Sequence, residues 1–314
     1  MSKILVVGGA GYIGGYLTDV LAKHNEVTVY DNLLFESRFL KDVNFIFGDI
    51  RDTSKLKAII NTYDVIVWLA AMVGDGACKI NESLTNELNF ESVKWIVDNY
   101  SGKLVFSSTC SVYGMNNDLI TEDAIPNPLS VYAVSKLLAE QYIINHHKNY
   151  LIFRLGTLYG IGDAHSRIRL DLVVNVLTKK ALEGETLSVF GGEQWRPLLH
   201  VKDVAHAIEY GLNNNINGIY NLAACNKKIY EIADAIKIMI PTANVEHKNI
   251  SFEDLRNYKV DTSKYKNLGW SPLFKLQDGI YELSKVFREK RIVNLNDPIY
   301  SNAQYIKNLE DKRI

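Results

Sequence analysis

The stretch Lys3-Ile-Leu-Val-Val-Gly-Gly-Ala-Gly-Tyr-Ile-Gly14 constrains the fold more than any other part of the chain. Ile4 to Val7 is a short apolar run, the pattern of a parallel strand buried on both faces. It breaks at Gly8, Gly11 and Gly14, and an amphipathic helix over about Tyr12 to Lys23 follows at once. Glycine lets the chain turn tightly and lets the backbone approach a diphosphate, while the helix N-terminus attracts negative charge. The spacing is G-x-x-G-x-x-G rather than G-x-G-x-x-G, so the turn alone is also compatible with an ordinary loop. Asp31 narrows the reading. It closes the next apolar run, Glu26 to Tyr30, about twenty residues beyond the turn. A carboxylate there accepts hydrogen bonds from the adenosine ribose and repels a 2′-phosphate, which favours NAD over NADP. Arg38 lies downstream and leaves a phosphate contact open.

Further strands are expected at Val43–Phe47, Asp64–Leu69 and Lys103–Phe106. In an open α/β sheet, ligands bind beyond the carboxyl ends of the strands. That places Asp49 and Ile50 at the adenine, one polar contact and one apolar. It also places Ala70, Ala71 and Met72 where small residues admit the cofactor backbone. Ser107, Ser108 and Thr109 follow the fifth strand, where a substrate would lie. Asp52 reads as the cap of a helix over Thr53–Asn61. Val73 to Thr85, polar and glycine-containing, reads as a loop over the site, followed by a helix over Thr85–Asn99. Ser130 caps a helix over about Val131–His147 that carries Tyr132-Ala-Val-Ser-Lys136. Positions i and i+4 share a helix face, so the lysine ammonium is expected to lower the pKa of the phenol and fit it for proton transfer.

Composition sets the remaining bounds. A chain of 314 residues suggests about two structural units, and 47% hydrophobic residues supply an ample core. A formal net charge of -1 gives no electrostatic reason to expect nucleic-acid or membrane partners. The seven histidines lack metal-ligand spacing, so no metal is expected. Three unpatterned cysteines, Cys78, Cys110 and Cys225, fit a reducing cytoplasm.

Taken in order, these motifs resemble the extended short-chain dehydrogenase/reductases, in particular the NAD-dependent sugar-nucleotide epimerases and dehydratases, over about residues 3–290. The resemblance places the catalytic Thr/Ser, Tyr and Lys at Thr109, Tyr132 and Lys136. It implies a cofactor set of Gly8, Gly11, Tyr12, Ile13, Gly14, Asp31, Asn32, Asp49, Ile50, Leu69, Ala70, Ala71, Met72 and Asn86, joined by Tyr132 and Lys136. The family's H-L-A-A stands here as Trp68-Leu69-Ala70-Ala71. Arg196, in Arg196-Pro-Leu-Leu-His-Val-Lys-Asp203, is the first candidate for the substrate diphosphate. Arg256 is the second, with a surface ion pair as its open alternative. Thr157 stands where an asparagine often contacts substrate. The implied fold is α/β, a Rossmann-type doubly wound parallel sheet with a smaller C-terminal α/β substrate domain. Residues 1–162 and 199–223 would make the NAD-binding part, and 163–198 with 224–314 the part that binds a nucleotide-diphosphate sugar.

Departures select the branch. Sugar 4,6-dehydratases carry Asp-Glu directly after the catalytic Thr, whereas this chain has Cys110-Ser111. The resemblance therefore implies oxidation at sugar C4 rather than loss of water. Met72–Cys78, Arg167–Asn175 and Gln194–Pro197 are similar to a subgroup of bacterial surface-polysaccharide genes that includes the GDP-manno-heptose 4-dehydrogenases. The expected activity is thus a nucleotide-sugar 4-dehydrogenase, with a 4-epimerase that returns the hydride as the alternative. A non-catalytic NAD(H)-binding regulator is the remote third. The family also implies a homodimer through helices Thr85–Asn99 and Val131–His147.

Overall fold

The structure, a computed structural model, describes residues 1–163, 165–248, 257–292 and 294–312. Seven parallel strands form the central sheet: β1 (Lys3–Val7), β2 (Glu26–Asp31), β3 (Asn44–Phe47), β4 (Val65–Trp68), β5 (Lys103–Thr109), β6 (Tyr150–Leu155) and β7 (Gly218–Leu222). Their order is β7-β6-β5-β4-β1-β2-β3. The order reverses beside β1, which is where a doubly wound sheet opens its binding crevice. The sequence had marked all of these strands except β6.

Alternation along β1 explains why helices cover both faces. Ile4 and Val6 pack with Leu17, Leu21, Val204 and Ile208 on one face. Leu5 and Val7 pack with Trp68, Ile96, Ala139 and Ile143 on the other. Successive strand side chains point to opposite faces, so a run of aliphatic residues demands two covering layers. The helix Gly14–Ala22 and the helix Val201–Asn213 cover the first face, and Ser92–Asn99 with Val131–His146 cover the second.

Two expectations about local structure need correction. The segment after β4 is not a loop. It forms helices Asp75–Ile80 and Glu82–Asn86, the second capped by Asn81, whose Oδ1 accepts from Leu84 N at 2.9 Å. The next turn, Glu87–Glu91, is a π-helical turn, after which α-helix resumes at Ser92. The remaining helix starts stand close to expectation: Asp52 accepts from Lys55 N at 3.0 Å, and Ser130 Oγ accepts from Ala133 N at 3.2 Å.

The second part is built from short strands. Trp195–His200 lies between Thr157–Tyr159 and Cys225–Lys228, and Leu187–Phe190 pairs with Val245–Lys248. Its core gathers Tyr159, Val174, Leu198, Ile232, Ile236 and Ile280. The expected assignment of residues 224–314 to this part does not hold along its whole length. Tyr265 and Trp270 are buried in the central-sheet core. The helix Asn302–Asp311 folds back onto Asp75–Ile80, where Ile306 packs with Met72, Ala77 and Cys78. Apolar faces on both segments are satisfied against the first part rather than the second.

Candidate active site

One cavity of about 310 Å³ runs along the carboxyl ends of the strands. Its wall contains Gly8, Gly11, Tyr12, Ile13, Gly14, Asp31, Asn32 and Ile50, and then Leu69, Ala70 and Ala71 from the end of β4. Thr109, Tyr132, Lys136, Thr157 and Arg196 line the same space. Residues far apart in sequence thus converge as the sheet topology requires.

The glycine turn is shaped for a close approach. Gly8 has φ +85°, a left-handed conformation that disfavours a side chain. A Cβ there would also lie 2.5 Å from Ala70 N. Gly8 N donates to Tyr30 O at 2.8 Å, which ties the turn to the end of β2. Asp31 Oδ2 accepts from Ala10 N at 3.0 Å and Oδ1 from Leu33 N at 2.8 Å. These bonds fix the carboxylate at the rim of the turn, with lone pairs left over for ribose hydroxyls. A glycine turn opening a helix of nine residues, with a carboxylate at the next strand end, fits an NAD.

Three residues of the expected cofactor set are placed elsewhere. Asp49 is held by Arg51, whose Nε and Nη2 each donate at 2.9 Å, and by Asn32 Nδ2 at 3.1 Å. The ion pair holds the Asp49 carboxyl down at about 2, and only its neighbours Gly48 and Ile50 reach the cavity wall. Met72 turns away, buried against Ala77, Cys78 and Ile306. Asn86 is exposed on the far side of its helix. The buried asparagine of this stretch is Asn89, which is 1% exposed. Its Oδ1 accepts from Met72 N at 2.8 Å, and its Nδ2 donates to Met72 O at 2.9 Å and to Ser135 Oγ at 3.0 Å. The π turn at Glu87–Glu91 shifts which residue faces inward, and helix periodicity in the sequence gave no sign of that turn.

The helix Val131–His146 carries Tyr132 and Lys136, both on the cavity wall. Tyr132, Lys136 and Glu140 are four apart and follow one face. Lys136 is buried, donates from Nζ to Ser107 O at 2.9 Å, and lies 4.7 Å from the centroid of Phe106. Burial draws its pKa down to about 8. The expected lowering of the Tyr132 pKa by Lys136 is not what the structure shows. Burial holds the phenol above its ordinary value, with Thr109 and Arg169 pulling the other way, and Lys136 is spent on Ser107 O. The protein alone therefore presents a neutral phenol beside a hydroxyl at Thr109.

Glu140, one turn further, is fully buried and anchors the helix. It accepts from Ser108 Oγ and from Arg154, whose Nη2 donates to Oε2 at 2.7 Å and Nε at 3.0 Å. Arg154 Nη1 continues to Tyr113 Oη at 2.8 Å. Such a paired, fully bonded charge network fixes a geometry more than it adds stability. Sequence reasoning assigned no role to either Arg154 or Glu140.

Cys110 and Ser111 separate after Thr109. Cys110 is buried, its Sγ donating to Arg154 O at 3.1 Å, and burial pushes its thiol up. Ser111 lines the cavity and its Oγ lies 3.1 Å from Tyr258 Oη. Arg196 is buried in the same wall and its Nη1 donates to Trp195 O at 2.9 Å. Arg256 lies outside the described residues. The cavity carboxylates among the described residues are Asp31 and Glu36, both beside the glycine turn rather than beside Thr109.

Comparison with known proteins fits this geometry. Residues 4–223 match the model of the NAD dependent epimerase/dehydratase family. A putative UDP-glucose 4-epimerase of Methanocaldococcus jannaschii is 31% identical, over 93% of this chain and 97% of its own. A UDP-N-acetyl-alpha-D-glucosaminuronate decarboxylase of Bacillus cytotoxicus is 27% identical, over 91% and 98%. Among solved structures, the UDP-N-acetylglucosamine 4-epimerase of Methanobrevibacter ruminantium M1, in complex with UDP-N-acetylmuramic acid, superposes with a TM-score of 0.80. It is 25% identical, with 92% of this chain and 99% of that chain covered.

Proposed function

Because the chain belongs to the NAD dependent epimerase/dehydratase family, we propose that it is a nucleotide-sugar 4-epimerase. Its cofactor is NAD and its substrate a nucleotide sugar, converted at C4 through a transient ketone. The observation that carries this reading is the composition of the cavity. Thr109, Tyr132 and Lys136 line it together, while its described carboxylates stand beside the glycine turn. Oxidation and reduction at one carbon need a single proton relay. Loss of water needs further acid and base groups beside the sugar, and Cys110 and Ser111 cannot supply a carboxylate there.

Bound NAD supplies the hydride acceptor and, once reduced, the hydride donor for the return step. Tyr132 is neutral in the protein alone; as the phenolate that the positive charges of a bound oxidised nicotinamide and of Lys136 would favour, it would take the proton of the 4-hydroxyl and give it back when the ketone is reduced on its other face. Thr109 hydrogen-bonds the same oxygen and orients it. Lys136 holds the cofactor ribose, and Arg196 holds the diphosphate of the substrate by a charge-assisted fork. Thr157 and Tyr258, on the same wall, face the sugar. Binding energy from the remote diphosphate positions the reacting carbon.

The dehydrogenase expected from the Met72–Cys78 and Arg167–Asn175 stretches gains no support from relatives that are named as UDP-glucose epimerases or as UDP-sugar decarboxylases. GDP-manno-heptose therefore stays in the test as one candidate substrate. Purified protein is incubated with NAD and a panel of UDP-hexoses, UDP-uronic acids and GDP-manno-heptose, and products are followed by mass and chromatography. A stereoisomer of unchanged mass without accumulating reduced cofactor supports the epimerase. A product lighter by two hydrogens with stoichiometric reduced cofactor, or release of carbon dioxide, replaces it with the dehydrogenase or the decarboxylase.

The same proposal includes a homodimer. Val134, Leu138 and Ile144 are exposed along the helix Val131–His146, an apolar face suited to a second copy. Light scattering at the mass of one chain would remove this part.

A further inference from the structure

Two arginines of the cavity, Arg167 and Arg169, have no part in the reaction above, and Arg169 is paired with Asp171. Arg167 is 6% exposed, lines the cavity, and its Nε has no hydrogen-bond partner. Nη2 donates to Ile299 O at 3.2 Å, and the guanidinium carbon stands 3.4 Å from the centroid of Phe35. Burial draws its pKa down to about 9, against the pull of Asp171 and Glu36. A buried guanidinium at a cavity wall, one of its donors buried without a partner, is costly unless an anion completes it.

Its place identifies the anion. Ser166 packs directly on the helix that the glycine turn opens, since a Cβ on Gly15 would lie 2.1 Å from Ser166 Cβ. Phe35, beneath the guanidinium, is four residues past Asp31 and lines the same end of the cavity. Arg167 therefore lines the end of the cavity shared by Phe35 and the glycine turn, where the helix N-terminus already favours a diphosphate.

The C-terminal segment holds Arg167 there. Leu170 N donates to Tyr300 O at 2.9 Å. Asn302 N donates to Asp171 Oδ2 at 2.8 Å, and its Nδ2 donates to Val73 O at 2.6 Å. Tyr305 stands 5.2 Å from Phe35, centroid to centroid. Three distant segments, 33–36, 167–171 and 299–306, thus meet over the cofactor end of the cavity, and Asn302 is part of its wall.

We propose that Arg167 is a cofactor-binding residue that pairs with the diphosphate of the dinucleotide, and that the 299–306 segment straps it in place so that the cofactor stays bound between turnovers. The inference rests on NAD as the cofactor and deepens the epimerase reading, in which each hydride is returned to the sugar it came from. The strap serves retention, and a dehydrogenase that exchanges its cofactor at every turnover gains nothing from it.

The test reads binding rather than turnover, so it stands apart from the fate of the ketone. NAD and UDP are titrated calorimetrically into the wild type, Arg167→Gln and Arg167→Lys. Arg167→Gln should weaken NAD about tenfold to a hundredfold, the loss of a charge-assisted pairing, and leave UDP binding unchanged. Its apo form should melt no lower than the wild type, because an uncompensated buried cation has been removed, and NAD should raise that melting temperature less. If Arg167→Gln will not fold, Arg167→Lys carries the test, with an intermediate loss of NAD affinity. Tyr305→Ala, with Arg167 intact, should release NAD faster in a dilution assay. Unchanged NAD affinity in both Arg167 variants, or a loss confined to UDP, overturns the Arg167 assignment. An unchanged release rate in Tyr305→Ala overturns the strap.

Discussion

The two ends of β5 carry the same chemistry and do different things. At the amino end, Lys103 is 6% exposed and donates from Nζ to Ile216 O at 2.6 Å and to Asn217 Oδ1 at 2.7 Å. At the carboxyl end, Lys136 donates to Ser107 O. Burial draws both lysines down to about 8. Only the carboxyl end opens into the cavity, with a tyrosine, a threonine hydroxyl and a glycine turn facing the same space. A perturbed pKa therefore marks burial at both ends, and at one of them the lysine also lines the cavity. What separates them is convergence: parallel strands leave their carboxyl ends open to ligand while the connections close the other side.

That contrast can be broken most sharply at Tyr132. Tyr132→Phe keeps the ring and removes the proton relay. It should lower kcat by about a hundredfold to ten-thousandfold, with NAD affinity unchanged by calorimetry. Near-wild-type turnover would move the chemistry away from the carboxyl end. Lys136→Met comes next. It should reduce kcat/KM about tenfold to a hundredfold, as one charge-assisted bond to the cofactor is lost, and should weaken NAD binding in parallel. An effect on kcat with wild-type NAD affinity would place Lys136 at the proton relay alone.

Asn89→Ala should cost about 1–3 kcal/mol of stability by urea unfolding, because Met72 N and O and Ser135 Oγ are buried partners left without it. Asn86→Ala, at an exposed position, should lie within about 0.5 kcal/mol of wild type. Equal effects at the two asparagines would contradict the inward turn of Glu87–Glu91.

The smallest effect is expected at the amino end. Lys103→Met should leave kcat and NAD affinity unchanged. Its signature is a pH dependence of stability. In the folded protein Lys103 titrates near 8, below the ordinary 10.5, so between those values the unfolded chain binds more protons. Stability owed to this lysine therefore rises with pH across that window. The wild type should gain on Lys103→Met in urea midpoint from pH 7 to pH 10. A change in turnover in this variant would show that the two ends are coupled.

Much of the site was legible because it lies on periodic elements. The Gly8 turn, Asp31 at a strand end, and Tyr132 and Lys136 four apart on a capped helix each follow from local rules, and all of them line the cavity. Ile50, Leu69, Ala70, Ala71, Thr157 and Arg196 joined them from the same reasoning and the family resemblance. The errors fall where a neighbour competes or the local period breaks. Asp49 has the right address but is taken by Arg51 two residues on. Met72 follows two alanines that do line the wall, yet the helix Asn302–Asp311 offers its side chain an apolar partner on the other side.

The sequence by itself determined the sheet, the glycine turn and the pairing of Tyr132 with Lys136 on one helix face, since these depend on side-chain period and on the backbone freedom of glycine over a few residues. Tertiary structure decided which asparagine is buried, in which direction the pKa values of Tyr132 and Lys136 move, and what the Arg167 guanidinium touches. Each of these depends on burial and on partners brought from more than a hundred residues away, as Ile299 is to Arg167, or from a single irregular helical turn. No local pattern encodes desolvation, because it is a property of what the rest of the chain packs against the group.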